Sequence, residues 1–153
     1  MKIRRMTEHD VAAISKIIRD LGIFAYLKEE SERDTEQRIT HHFALCAQDD
    51  SHTVYVAENS GGKVIGYVSI HWIPYFILQA PDGYVSELFV AASERGKGVG
   101  SKLLAVAKEQ AQERGCSRLS LLNLRNRESY QRGFYKKQGW TEREHVANFV
   151  FEL

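Results

Sequence analysis

The stretch Arg95-Gly96-Lys97-Gly98-Val99-Gly100-Ser101 gathers three glycines and two cations in seven positions, then runs into an apolar repeat. A strand pattern ends at Val90, and a helical pattern begins near Gly98. The first N–H groups of a helix have no intrahelical partner, and the aligned peptide dipoles leave about half a positive charge there. Glycines let the backbone curl and let a ligand approach without a Cβ in the way. Arg95 and Lys97 add whole charges. The chemistry on offer is the binding of a phosphate or pyrophosphate.

Two common phosphate motifs do not fit. A P-loop needs Gly-Lys-Ser/Thr after its spacer, which this stretch lacks. A dinucleotide fingerprint needs Gly or Ala where Ser101 stands, and an acidic ribose partner that is missing here.

The elements that would hold this loop follow from periodicity. Lys2–Arg5 reads as a short strand. Thr7 and Asp10 resemble a capping box ahead of a helix carrying Val11, Ile14, Ile17, Ile18 and Leu21. A second helix is expected from Thr35, with Ile39, Phe43 and Cys46. Strands follow at Thr53–Ala57 and Val64–His71, joined at Ser60-Gly61-Gly62. An aromatic loop reaches Gly83, and Tyr84–Val90 reads as a third long strand. After the glycine loop comes a helix with Val99, Leu103, Leu104, Ala107 and Ala111, stopped by Gly115. Arg118–Leu122 is a strand, Arg127–Gln138 a fourth helix and Val146–Leu153 a last strand. The expectation is an α/β fold: a mixed, largely antiparallel, twisted sheet flanked by about four helices on both faces.

The 153 residues suit one domain, 1–153, able to bury roughly 70% of its unfolded surface without staples. A net charge of +1 argues against a nucleic-acid or membrane partner. No apolar run approaches a membrane span, and nothing near Met1 reads as a signal peptide, so a cytoplasmic protein is the expectation. Cys46 and Cys116 have no metal-ligand spacing and are expected to be reduced thiols. The histidines, His41, His42 and His71 among them, pair with no second ligand at metal spacing, so no metal is expected.

One pattern does match the loop. Arg95-x-x-Gly98-x-Gly100 resembles the acyl-coenzyme A loop of the GCN5-related N-acetyltransferase (GNAT) superfamily. The resemblance extends to Glu87-Leu88-Phe89-Val90 before the loop, Leu103-Leu104 after it, and Phe134-Tyr135-Lys136-Lys137-Gln138-Gly139-Trp140 further on. The element order matches as well. The resemblance implies acetyl-CoA as co-substrate, held by Arg95 to Ser101 and by main-chain groups of Leu88, Phe89 and Val90 beside a bulge. It implies that Asn126, or Asn123 before it, faces the pantetheine arm.

Transfer of an acetyl group to an amine needs a neutral amine, and a lysine-like amine of pKa ~10.4 is protonated at neutral pH. Glu87, eight residues before Arg95, is the candidate base. Strand alternation puts it on one face with Val85 and Phe89. Tyr135, matching the family's tyrosine, is the candidate acid for the departing thiolate. Arg125, Arg127, Arg132, Lys136 and Lys137 form a basic cluster that reads first as a solvated face.

The acceptor is expected among Ile23–Asp34, the loop from His71 to Phe76, and Thr141–Asn148. Acids in the first and aromatics in the second suit a cationic or amphipathic small-molecule amine. A protein or peptide N-acetyltransferase and a non-catalytic acyl-CoA-binding module are the alternatives. A homodimer is common for the family, and no feature of the sequence decides it.

Overall fold

The computed structural model describes residues 1–153, which form two compact units, Met1–Leu121 and Leu122–Leu153. The first unit holds β1 (Lys2–Arg5), α1 (Val11–Asp20), α2 (Glu32–Cys46), β2 (His52–Glu58), β3 (Val64–Ile73), β4 (Asp82–Val90), α3 (Val99–Glu113) and β5 (Arg118–Leu121). The second holds two single-turn helices, α4 (Glu128–Gln131) and α5 (Phe134–Lys137).

The five strands lie in the order β1-β2-β3-β4-β5. Every neighbouring pair is antiparallel except β4 and β5, which run parallel. A parallel neighbour needs a crossover, and α3 supplies it between β4 and β5. Tyr67 joins Ile14 and Ile17 of α1 in one apolar cluster. On the other face, Gly66 and Trp72 meet Val99 and Arg114 at the two ends of α3. Both sheet faces are thus covered, and Val56, Val68, Ile70, Leu103, Leu104 and Ala107 are fully buried.

The cap at Thr7 and Asp10 forms. Asp10 accepts from the Thr7 N–H at 2.8 Å and from both terminal nitrogens of Arg4 at 2.7 and 2.8 Å. This ties β1 to the start of α1, and the Arg4 guanidinium holds the Asp10 pKa low. The second helix starts earlier than Thr35. Ser31 caps it, its Oγ accepting from the Asp34 N–H at 3.1 Å. Thr35 instead sits buried in the first turn, donating to Glu30 Oε2 at 2.7 Å.

Two expectations in the second unit are corrected. The single helix over Arg127–Gln138 is two turns, broken at Gly133, whose φ of 66° lies in the left-handed region. The apolar run Val146–Leu153 is not a strand, and Phe149, Val150, Phe151 and Leu153 are exposed. β-branched and aromatic residues favour an extended chain, but a strand exists only where a neighbour completes its hydrogen bonds. Nothing within Leu122–Leu153 pairs with this run.

Candidate active site

The pairing of β3 with β4 shifts by one residue. Ser69 pairs with Glu87 and Ile70 with Val85, so Ser86 is an extra residue on β4. This is a β-bulge, and it breaks strict alternation. Ser69 and Ile70 point to opposite faces, so their partners Glu87 and Val85 do too. The expected grouping of Glu87 with Val85 therefore fails. Glu87 shares its face with Tyr67 and Phe89, and the Tyr67 hydroxyl donates to Glu87 Oε2 at 2.7 Å. Tyr67 is buried, and burial beside the Glu87 charge pushes its pKa well up. The phenol therefore stays a donor.

The other ladder of β4 stops beside the bulge, where β5 ends. Pairing with β5 runs from Asp82↔Arg118 to Val85↔Leu121 and stops, whereas pairing with β3 continues to Val90. Leu88, Phe89 and Val90 thus have a strand on one side only. Two strands that run side by side up to Val85 and then lose contact leave main-chain donors and acceptors for something else.

The glycine loop follows. Gly96 and Gly98 have φ of 75° and 80°, and a Cβ at either would meet nothing within 4 Å. Gly98 is the N-cap of α3, whose first bond runs from the Lys102 N–H to the Gly98 carbonyl. The N–H groups of Val99, Gly100 and Ser101 precede that bond at an open helix end. The Val99 side chain is buried, so only its backbone can serve a ligand. Arg95 is exposed, its Nε 3.3 Å from the Val90 carbonyl, and Lys97 pairs with Glu94 at 3.2 Å. A curled, Cβ-free backbone with two flanking cations fits a pyrophosphate.

On the Glu87 face the sheet carries a polar row that sequence reasoning missed. Ser86 Oγ lies 3.2 Å from Ser69 Oγ, which contacts His52 Nε2. The His52 ring stacks on His71 at 3.9 Å. Burial, with the neighbouring His71, holds the His52 pKa down to about 4. Burial also lowers His71, against the opposing pull of Glu87. The sequence showed only His71 at the end of a predicted strand and His52 one residue before another, and bringing them together required the β2–β3 register, His52↔His71.

In the second unit, Tyr135 packs edge-to-face on Trp140 at 6.1 Å, and burial raises its pKa. Asn123 accepts from Ser129 Oγ at 3.0 Å, while Asn126 is exposed. The basic cluster is partly spent on one acid. Arg125 and Lys136 lie 3.0 and 3.3 Å from the Glu142 carboxylate, and Tyr130 donates to it at 3.0 Å. Cys46 and Cys116 are free, with pKa values raised by burial. No helix is long and apolar enough to cross a membrane.

The mixed sheet with its strand–glycine loop–helix unit defines a class of fold, and comparison with known proteins says which. The model of the acetyltransferase (GNAT) family matches residues 14–140, and the chain belongs to this family of acetyltransferase enzymes. That match runs across the junction between the two units. A thialysine N-ε-acetyltransferase of Mus musculus is 27% identical over 160 residues, covering 99% of this chain and 92% of that one. An aminoalkylphosphonate N-acetyltransferase of Salmonella typhimurium is 32% identical over 82 residues, covering 53% and 52%. Among solved structures, a transcriptional regulator from Bacillus halodurans superposes with a TM-score of 0.82 at 24% identity, covering 98% and 99%. At that identity the likeness is one of fold.

Proposed function

We propose that this chain transfers an acetyl group from acetyl-CoA directly to a primary amine of a small molecule, through a ternary complex. The observation that carries the reading is the bulge at Ser86. It turns Glu87 onto the face of Tyr67 and, on the same strand, lies where the ladder to β5 stops, ahead of the glycine loop. The relatives that acetylate thialysine and aminoalkylphosphonates support a small amine as acceptor. Residues 1–153 then work as one acetyltransferase domain.

Acetyl-CoA supplies an acetyl group activated as a thioester. The residues assigned to hold it are Arg95, Gly96, Lys97, Gly98, Val99, Gly100 and Ser101 for its phosphates. Main-chain groups of Leu88, Phe89 and Val90, with Asn126, are assigned to the rest. Glu87 takes the proton of the acceptor ammonium, leaving a nucleophilic amine. Tyr67 fixes the Glu87 carboxylate through their hydrogen bond. As the amine nitrogen bonds to the acetyl carbon and the C–S bond breaks, Tyr135, protonated at neutral pH, would give its proton to the thiolate and regain one from the nitrogen as that becomes an amide.

The test is thermal unfolding with and without acetyl-CoA. Ligand at 100 times its dissociation constant adds ~2.7 kcal/mol to stability, which raises the midpoint by roughly ten degrees. ATP and NAD are expected to give no such rise. Release of free thiol on adding amines then reports transfer. No rise at millimolar acetyl-CoA would remove the basis of the proposal.

A further inference from the structure

Around Glu87 the first unit builds a girdle of four rings. Tyr67 holds the carboxylate and lies 5.9 Å from Phe89. Phe89 meets Phe24 edge-on at 6.3 Å, and Phe24 meets Tyr26 at 6.1 Å. The Arg38 guanidinium of α2 then sits over the Tyr26 ring at 5.5 Å. Arg38 and Glu87 are also within electrostatic reach of each other, the Glu87 charge being one of those that stabilise the guanidinium. The rings thus run from one charge to the other.

Arg38 is held in place, not free to wander. Its Nε and Nη2 face Glu30 at 3.2 and 2.8 Å, a side-on pair that leaves the Nη1 edge for a second anion. Glu30 is fixed in turn by Thr35. Arg19 donates to the Glu30 carbonyl and to Thr35, both at 2.9 Å. The acids of Ile23–Asp34 are therefore not all available to a cationic substrate. Glu30 is committed to Arg38 and Thr35, and Asp34 accepts from the Ser31 hydroxyl at 2.7 Å. Within this chain of contacts the charges balance: Glu30 and Glu87 against Arg19 and Arg38. A dication would upset that balance, whereas a molecule with one charge of each sign keeps it.

We propose that the acceptor is a zwitterion, a primary amine on the same small molecule as a carboxylate or phosphonate, with Glu87 taking the ammonium end and Arg38 the acid end. This assignment deepens the transferase reading and rests on it for the role of Glu87. Apolar carbon between the two ends would lie along the rings of Phe24, Tyr26 and Phe89.

Binding is measured first, without acetyl-CoA, by calorimetry. The probes are β-alanine, γ-aminobutyrate, ε-aminocaproate and aminopropylphosphonate, each carboxylate beside its carboxamide, with putrescine and cadaverine as dications. At least one zwitterion is expected to bind about 10-fold more tightly than its carboxamide and the dications. The kcat/KM ratio of acid to carboxamide is then compared in wild type, Arg38→Gln and Glu30→Gln. The ratio is expected to fall about 10-fold in Arg38→Gln, which removes the anchor, and to rise in Glu30→Gln, which removes its competitor. Both variants break the same ion pair, so a purely structural role would move the ratio alike in both, and that result overturns the proposal. So does tighter binding of dications or carboxamides, or no binding of any zwitterion. Zwitterion binding that Arg38→Gln weakens, without acetyl transfer to any amine, would sustain this site and refute the transferase reading instead.

Discussion

The hydroxyl of Tyr67 and the carboxylate of Glu87 lie 2.7 Å apart on adjacent strands, twenty residues apart in sequence. The contact exists because Ser86 bulges and turns Glu87 onto the Tyr67 face. If Glu87 is the base, Glu87→Gln lowers kcat/KM about 100-fold at pH 7. The loss shrinks toward pH 9, where more of the amine is already neutral. Equal losses at both pH values would show that Glu87 only positions. Tyr67→Phe keeps the buried ring and removes the donor, and is expected to cost about 3- to 10-fold in kcat with unchanged acetyl-CoA affinity.

Tyr135→Phe is expected to lower kcat about 10- to 100-fold with little effect on acetyl-CoA binding. Burial keeps the phenol protonated through neutral pH, so the wild-type rate should show no limb from this group below its raised pKa. An unchanged kcat would exclude it as the acid.

Gly98 sits at φ 80°, where a side chain costs about 1–2 kcal/mol. Gly98→Ala is expected to lower stability by roughly that amount and acetyl-CoA affinity by about 10-fold, because relief of the strain would re-aim the N–H groups opening α3. Urea unfolding measures the first and the acetyl-CoA-dependent shift in Tm the second. Full affinity in a stable variant would place the phosphates elsewhere.

The His52 imidazole has a pKa of about 4 in the folded chain, below its ordinary value of 6.5. Between those values the unfolded chain binds a proton that the folded chain refuses. Stability contributed by neutral His52 is therefore complete above about pH 6.5 and is lost as pH falls toward 4. His52→Gln, which retains a hydrogen-bonding group toward Ser69, should flatten the fall in urea midpoint between pH 7 and pH 4.5. Identical slopes in wild type and variant would show that other groups carry the acid sensitivity.

Some of this was legible from residue order. The helix periodicities, the cap at Thr7 and Asp10, and the strand–glycine loop–helix unit are contiguous patterns, and each appears within a few residues of its expected bounds. The break at Gly133 was also written locally, since glycine is the residue that most readily takes the left-handed φ of 66° found there. Val146–Leu153 looked like a strand because its residue types favour extension, and only a pairing partner turns that preference into a strand.

The sequence alone determined the glycine loop with its cations, because a helix N-terminus and left-handed glycines are properties of a short run of backbone. It also named Glu87, from its place in the strand eight residues before Arg95, and Tyr135, from the resemblance of Phe134–Trp140 to the family's segment. It could not determine what Glu87 faces. The extra residue at Ser86, the stacking of His52 on His71 and the path of rings from Glu87 to Arg38 each join residues distant in the chain. Register and helix docking bring them together, and a shift of one residue in pairing turns a strand side chain from one face to the other. That is why the loop could be read directly, while the surroundings of the candidate base came only from the tertiary structure.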